Sequence, residues 1–127
     1  MARRTSAHPT ELELEILKIL WREGPLPGRR VRDLLAQVRD LAYTSVMTIM
    51  KIMTHKRYVR RKRVDGNYVY SPCVTEEVVT RGMLCDLVER VFDGSATAVM
   101  LNLLETAELG EDELKEIRRL VNRKGKP

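Results

Sequence analysis

The sequence has few of the features that mark membrane-spanning, secreted or disulfide-rich proteins. No apolar run approaches the length that crosses a bilayer, and charged ELELEILK stands where a signal peptide would have its apolar core. Only two cysteines, Cys73 and Cys85, occur in the 127 residues. We therefore expect a cytoplasmic protein that does not bind membranes and whose cysteines stay reduced.

Sequence motifs of enzymes and metal sites are also missing. The chain contains no Gly-rich phosphate loop, no HExxH and no GxSxG, and neither of its histidines, His8 and His55, stands beside an obvious nucleophile. Cys73 and Cys85 are twelve residues apart and far from both histidines, which is no recognisable metal-ligand spacing. We expect no enzymatic activity, no cofactor and no metal.

Charge, in contrast, is abundant and unevenly distributed. The formal net charge is +5, but residues 1–72 hold fifteen Lys and Arg against seven Asp and Glu, whereas residues 73–127 hold eight against eleven. A basic first half indicates a polyanionic partner such as nucleic acid. Charge alone leaves open the alternative that these cations only keep the surface soluble.

Three short helices are predicted after an N-terminal arm of residues 1–9. A capping box formed by Thr10 and Glu13 begins the first helix, which runs to about Arg22 and is ended by GPLPG. The second helix is predicted over residues 28–38 and the third over residues 43–56. The apolar residues expected to face inward from these two helices are Val31, Leu34, Leu35, Val38, Val46, Ile49, Met50 and Met53.

A β-hairpin is predicted directly after the third helix. The segments YVRRKR and NYVYSP have β-branched and aromatic character and are joined by Val64, Asp65 and Gly66. Asp-Gly in this position predicts a tight turn, because glycine accepts the positive φ that the turn requires. The fold predicted is therefore mostly α, with a winged helix-turn-helix domain over residues 1–72, in which the hairpin is the wing.

Residues 73–127 are predicted to form three further helices with a surplus of apolar residues. Helices this short cannot bury so much Leu and Val against one another. The simplest partner is a second copy of the chain, which would make this a C-terminal helical dimerisation region. Packing back onto the winged-helix domain of the same chain is the alternative. The residues expected in the dimer contact are Leu84, Leu87, Val91, Val99, Leu103 and Leu104.

The outward face of the third helix is small, polar and free of acidic residues. DNA carries dense negative charge, whereas short hydroxyls can hydrogen-bond bases or phosphates, and a Thr methyl can meet a thymine methyl. In a helix-turn-helix, the second helix of the motif enters the major groove. The residues expected at the DNA, with phosphate contacts assigned to the last two, are Tyr43, Thr44, Ser45, Met47, Thr48, Lys51 and His55.

The wing adds a run of cations next to this helix. Phosphate contacts fix the register of a protein on DNA, while base contacts select the sequence. Because strand residues alternate, about half of the run can face the duplex. A solvated charge run is the alternative. The wing residues expected to contact DNA are Arg60, Arg61, Lys62, Arg63 and Asn67.

Several segments together resemble one known family. LAYTSVMTIMKIM, followed by YVRRKR, the Gly66 turn and YVYSP, closely resembles the penicillinase-repressor (BlaI/MecI) family of bacterial winged-helix regulators. ELELEILKILWREGP is similar to its first helix and VFDGSATAVMLNLLE to its dimerisation region, so that the resemblance runs from about Thr10 to Val121. It implies a homodimer that binds a palindromic operator and represses transcription. The operator contacts it implies are the wing cations and Tyr43, Thr44, Ser45 and Thr48.

The resemblance also implies a route of induction. In inducible members, a membrane-bound metalloprotease sensor triggers cleavage after an Asn in the dimerisation region, and Asn102-Leu103 occupies that position here. The antibiotic-responsive members have an aromatic residue after the Asn, and the alternative is that Leu103 is simply a core residue. A winged helix used for protein interaction or RNA binding is a second functional class, although such modules often lose the basic wing that this chain keeps.

Overall fold

The computed structural model describes residues 8–126, so that residues 1–7 of the predicted arm lie outside the described part. Within it the fold is mostly α, as predicted. The elements in chain order are α1 (Glu11–Glu23), β1 (Leu26–Pro27), α2 (Gly28–Leu35), α3 (Tyr43–His55), β2 (Val59–Val64), β3 (Asn67–Pro72), α4 (Glu76–Val91), α5 (Ala96–Thr106) and α6 (Glu111–Gly125). Among residues 8–126, no helix has the length and apolar character needed to cross a membrane.

The first helix begins with the predicted capping box. The backbone N–H of Glu13 donates to Oγ1 of Thr10 at 3.2 Å, and the N–H of Thr10 donates to Oε1 of Glu13 at 2.8 Å. Two amides without a partner inside the helix are thereby satisfied, and such a cap stabilises by about 1 kcal/mol. At the other end, Gly24 takes a φ of +83° and its N–H donates to the carbonyl of Leu20, so that α1 ends where GPLPG predicts.

One hydrophobic core joins the inner faces of α1, α2, α3 and the sheet. Because full burial of each apolar side chain contributes about 1.5–3 kcal/mol, this cluster determines which face of α3 points outward. Leu34 and Ile49 are partly buried at its edge, as expected of inward-facing positions. The residues that are almost fully covered are Ile16, Leu17, Leu20, Val31, Leu35, Val46, Met50, Met53, Val59 and Tyr70.

The prediction for the end of the second helix is wrong at Val38. α2 ends at Leu35, and the amides of Val38 and Arg39 both donate to the Leu35 carbonyl in the turn that follows, at 2.9 and 2.7 Å. Because the helix does not continue to position 38, the side chain of Val38 leaves the buried stripe and is 68% exposed.

The sheet is antiparallel, with strand order β1-β3-β2. β2 and β3 form the predicted hairpin, whose turn residues Asp65 and Gly66 have φ values of 50° and 82°. Two positive φ values in succession define the type I′ turn that suits the twist of a hairpin. β1 was not predicted from GPLPG, yet Leu26 pairs with Tyr70 and Pro27 with Val69. An edge strand tolerates Pro27, since a missing N–H there breaks no central ladder.

The three C-terminal helices form as predicted. Gly94, with a φ of +82°, donates its N–H to the Val88 carbonyl at 2.9 Å and closes α4. Ser95 caps α5 by accepting the N–H of Ala98 at 3.1 Å. α6 begins with three acids and ends with two cations, which is the charge order that a helix dipole favours.

The chain divides into two compact units, one extending to Leu84 and the other beginning at Cys85. This division lies within α4, whereas the predicted domain boundary at residues 72 and 73 precedes the helix; that boundary stays a prediction. Within the described residues 85–126, Val99 is the single apolar residue with less than a tenth of its surface exposed. The second unit therefore has almost no core of its own within one chain.

Candidate nucleic-acid interface

The two faces of α3 differ completely in exposure. Val46, Met50 and Met53 are fully buried, which leaves the opposite face open to solvent. The helix contains no Asp or Glu. Four of the predicted DNA contacts are exposed along successive turns of this open face: Thr44, Thr48, Lys51 and His55. Ser45, a fifth predicted contact, is exposed beside them.

The hydroxyl of Thr48 is partly engaged within the helix. Its Oγ1 donates to the backbone carbonyl of Thr44 at 2.9 Å. The hydroxyl proton is therefore directed inward, while the oxygen lone pairs and the methyl group remain on the outer surface. Thr48 can thus accept a hydrogen bond from a base amine or meet a thymine methyl without giving up its place in the helix.

Tyr43 and Met47, two predicted contacts in the first turns of α3, do not belong to the exposed row formed by Thr44, Thr48, Lys51 and His55. Tyr43 is 39% exposed. Met47 is half-buried and packs against the hydrophobic core, and a Cβ added to Gly28 would come within 2.7 Å of its Sδ. Gly28 therefore allows α2 to approach α3 closely, and the Met47 side chain is held between the helices instead of standing free on the outer face.

The wing carries its cations on both sides. Arg60, Arg61, Lys62 and Arg63 are all exposed, and among residues 8–126 none of them takes part in an ion pair. Four adjacent unpaired cations repel one another, and a polyanion placed beside them would relieve that repulsion.

A cleft of about 360 Å³ connects the wing to the helices. It lies between the start of α2, the start of α3 and the hairpin turn, and no carboxylate lines it. Tyr43, Met47 and Asn67, all predicted contacts, meet here, whereas Lys51 and His55 lie further along α3 and are not part of the cleft. The full lining is Pro27, Gly28, Arg29, Tyr43, Met47, Gly66, Asn67, Tyr68 and Tyr70.

Arg29 belongs to this surface but was not among the predicted contacts. In the sequence, GRR indicates positive charge at the start of α2, but it does not indicate which surface the arginine side chains face. The structure places Arg29 in the lining of the cleft, opposite the hairpin turn. A third element thus adds positive charge to the surface formed by α3 and the wing.

Tyr58 lies three residues after the end of α3, beside the partly buried ion pair of Lys56 and Glu13. Burial is the main reason that its pKa is raised, the negative charge of Glu13 raises the pKa further, and the positive charge of Lys56 lowers it. The Nζ of Lys56 stands 5.9 Å from the centre of the Tyr58 ring. These three side chains link α1 to the segment that directly follows α3.

Most of the residues predicted for dimerisation are exposed in the single chain. Their exposed fractions are 53% for Leu84, 43% for Leu87, 62% for Val91, 55% for Leu103 and 50% for Leu104. Leu103 is therefore not covered within one chain.

Val99 differs from the other residues of this set. It is only 8% exposed and is already covered within its own chain.

The Asn102-Leu103 bond lies inside α5. The side-chain amide of Asn102 donates to the Ala98 carbonyl at 2.9 Å, and the Asn102 carbonyl accepts from Oγ1 of Thr106 at 2.7 Å. Both residues are exposed, but their backbone is helical. A protease that binds its substrate in extended form would therefore have to unwind α5 locally.

The part of the chain that is described contains no cluster suited to a metal ion. Across residues 8–126, no three His, Cys, Asp or Glu come together in such a group. Cys73 and Cys85 are both exposed and are not joined in a disulfide.

Comparison with known proteins finds relatives that are transcriptional regulators. Residues 9–123 match the family model described as "Penicillinase repressor". The chain is 32% identical over 113 residues to the transcriptional regulator BlaI of Mycobacterium tuberculosis, covering 87% of this chain and 80% of that protein. It is 22% identical over 112 residues to the methicillin resistance regulatory protein MecI of Mammaliicoccus sciuri, covering 88% and 91%.

A solved structure supports the winged-helix fold. The solution structure of the DNA binding domain of the repressor BlaI matches with a TM-score of 0.51 at 18% identity, covering 58% of this chain and 90% of that domain. The names of these relatives are those of regulators and repressors, which confirms the expectation of a protein that is not an enzyme. Since the family model spans nearly the whole sequence, the chain belongs to the penicillinase repressor family of transcriptional regulators.

Proposed function

We propose that the protein is a homodimeric repressor that binds a palindromic operator, with α3 of each copy in the major groove and each wing on the adjacent backbone. The observation that carries this proposal is the acid-free outer face of α3, which adjoins the cationic wing in one compact unit. An outer face of short hydroxyls allows close approach to base edges. The unpaired cations of the wing supply attraction to phosphate that does not depend on base sequence.

The apolar surface of the second unit supports the homodimer. Leu87, Val91, Leu101, Leu103 and Leu104 are each between 43% and 62% exposed in the single chain. Monomeric proteins rarely leave so many large apolar side chains in water over so short a segment. A second copy presents the same surface, and a twofold contact between two identical patches would cover both. Two identical winged helices related by a twofold axis would read a palindrome.

The test is a titration of the full chain with two DNA fragments of equal length. One carries the palindromic sequence from the promoter of its own gene, and the other carries the same bases scrambled. Each is measured at two salt concentrations. The proposal expects the palindrome to bind at least about 1,000-fold more tightly, with affinity for both falling as salt rises. Equal affinity for the two fragments would overturn the proposal of a sequence-specific repressor.

Duplex RNA of the same palindromic sequence tests the RNA-binding form of the second functional class. If this RNA bound more tightly than the palindromic DNA, a winged helix used for RNA binding would replace the operator proposal. The cationic wing alone does not decide this, because phosphate attraction is common to both polymers. The distinction lies in the α3 face, whose shape suits the wide major groove of duplex DNA and not the deep, narrow one of duplex RNA.

Cleavage after Asn102 is the induction step that the family resemblance suggests, with a membrane-bound metalloprotease sensor as the trigger. Exposure of Asn102 and Leu103 favours access by a protease, and their helical backbone opposes it. Expression of the chain with and without a neighbouring metalloprotease gene, followed by mass measurement of the fragments, tests this step. A fragment ending at Asn102 supports it, and an intact chain during induction overturns it.

A further inference from the structure

The four cations of the wing do not share one side of the hairpin. Residues alternate along a strand, so Arg61 and Arg63 lie on one side of β2 while Arg60 and Lys62 lie on the other. The strand register places Arg63 directly opposite Tyr68 on β3. Tyr68 therefore stands on the side of Arg61 and Arg63.

The ring of Tyr68 contacts both guanidinium groups on its side. Its centre is 4.2 Å from Cζ of Arg61 and 5.6 Å from Cζ of Arg63. Attraction between a cation and the face of an aromatic ring offsets part of the repulsion between the two arginines. A guanidinium that lies over a ring by its face keeps the N–H groups in its own plane free to donate. The two arginines are thus held in place with their donors still available.

This side of the hairpin is also the side that faces the start of α3. Tyr68 lines the cleft together with Tyr43, the first residue of α3, and Arg29 at the start of α2. In the proposed complex, α3 occupies a major groove, and the DNA strand bordering that groove passes between the helix and the wing. The cleft side of the hairpin would meet this strand, while Arg60 and Lys62 project away from it.

We propose that the wing binds DNA on one side only, with Arg61 and Arg63 contacting phosphodiester groups and Tyr68 acting as the positioning residue that holds them. Arg60 and Lys62 contribute only long-range attraction. This inference rests on the proposed function and deepens it, because it divides a cationic run whose four members are alike in charge. It also gives Tyr68 a role in DNA binding.

Two double variants of the full chain with the same change in charge test the division. Arg61→Ala with Arg63→Ala removes the cleft-side pair, and Arg60→Ala with Lys62→Ala removes the other pair. We expect the first to weaken palindrome binding at least about 30-fold and to reduce the slope of log affinity against log salt by up to about 2 per protomer. The second is expected to weaken binding no more than about threefold with little change of slope.

Equal losses in the two double variants, with the wild-type chain still preferring the palindrome, would overturn the one-sided wing and leave the proposed function intact. A wild-type chain that binds both DNA fragments equally would instead overturn the proposed function, and this inference with it. Circular dichroism of each variant checks that the protein is folded. Variants of Tyr68 provide a second measurement, because they leave all four cations in place.

Two substitutions test the role of Tyr68, one that keeps the aromatic ring and one that removes it. Tyr68→Phe keeps the aromatic face and is expected to bind within about twofold of wild type, whereas Tyr68→Leu keeps apolar bulk without a ring and is expected to bind at least about fivefold more weakly. In the chain lacking Arg61 and Arg63, Tyr68→Leu should cause no further loss. If that loss persists without the two arginines, Tyr68 does not act through them and the inference fails.

Discussion

Lys56, directly after α3, donates from Nζ to both carboxylate oxygens of Glu13 in α1, at 3.0 and 3.2 Å. The carboxylate of Glu13 is buried, and its Oε1 also accepts the N–H of Thr10. One side chain therefore completes the cap of α1 and ties the C-terminal end of α3 to it. This link helps to hold α3 in the orientation that presents its acid-free face.

Breaking this ion pair should destabilise the first unit. Lys56→Met leaves the carboxylate of Glu13 buried without a cation, and we expect the free energy of unfolding to fall by about 2 kcal/mol. Lys51→Met is the matched control, five residues earlier in α3, because Lys51 is exposed and pairs with no acid among residues 8–126; its effect should stay within about 0.5 kcal/mol. Denaturant unfolding of the full chain measures both.

The double variant Glu13→Gln with Lys56→Met separates the cost of a buried, unpaired carboxylate from the other effects of removing Lys56. Glutamine can still accept the N–H of Thr10 and complete the cap, but it carries no charge that needs a partner. We expect part of the stability lost in Lys56→Met to return. If Lys56→Met and Lys51→Met lowered the free energy of unfolding equally, the ion pair of Glu13 and Lys56 would contribute nothing specific to stability.

Tyr58 should make stability fall at alkaline pH. Burial and the charge of Glu13 raise its pKa in the folded chain, so the folded state holds the phenolic proton more strongly than the unfolded state does. This contribution is fully present below the ordinary tyrosine pKa of about 10 and is lost as the pH rises above it. Between pH 8 and pH 11, wild type should lose more stability than Tyr58→Phe. If wild type and Tyr58→Phe lost stability in parallel over this range, a raised pKa of Tyr58 in the folded chain would be contradicted.

The wing turn should depend on Gly66. Its φ of +82° lies in the left-handed region, so Gly66→Ala is strained even though the added Cβ would meet nothing within 4 Å. We expect a loss of about 1 kcal/mol in hairpin stability and weaker DNA binding. Gly125→Ala at the end of α6 also enters open space without a positive φ, and it should leave both quantities nearly unchanged. A wing unaffected by Gly66→Ala would mean that the turn relaxes to another form.

Dimerisation should be sensitive to charge at Leu103. Leu103→Asp places a carboxylate on the exposed apolar surface of α5 in both copies, and we expect the dimer to dissociate at least about 30-fold more readily. Val38→Asp is the control, because Val38 is equally apolar and 68% exposed but lies in the first unit. Sedimentation equilibrium measures both. A dimer of unchanged strength in Leu103→Asp would exclude Leu103 from the contact.

Features with a local cause could be predicted from the sequence. The Thr10 and Glu13 cap depends on two residues three apart, and the Asp65-Gly66 turn depends on neighbours, so both were identified correctly. The buried stripe of α3 follows from helical period alone. The end of α2 was missed because Val38 fits the apolar period although the helix stops at Leu35.

Features made by distant residues could not be predicted. The two residues of β1 carry no periodic signal, and their strand character comes only from pairing with β3. Lys56 and Glu13 are 43 residues apart, and nothing near either one indicates the other. The sequence shows four similar wing cations, while the stacking of Arg61 and Arg63 on Tyr68 depends on the register between strands.

The most direct measurement for the central claim compares one added acid at two exposed places. Thr48→Glu puts a carboxylate on the outer face of α3, where we expect DNA phosphates and base acceptors to repel it. Gln37→Glu makes the same change of charge in the turn after α2. In titrations of the palindromic DNA, we expect a loss of at least about 100-fold for Thr48→Glu and no more than a few-fold loss for Gln37→Glu, with both chains folded. Equal affinity of the two variants would contradict the placement of α3 in the groove.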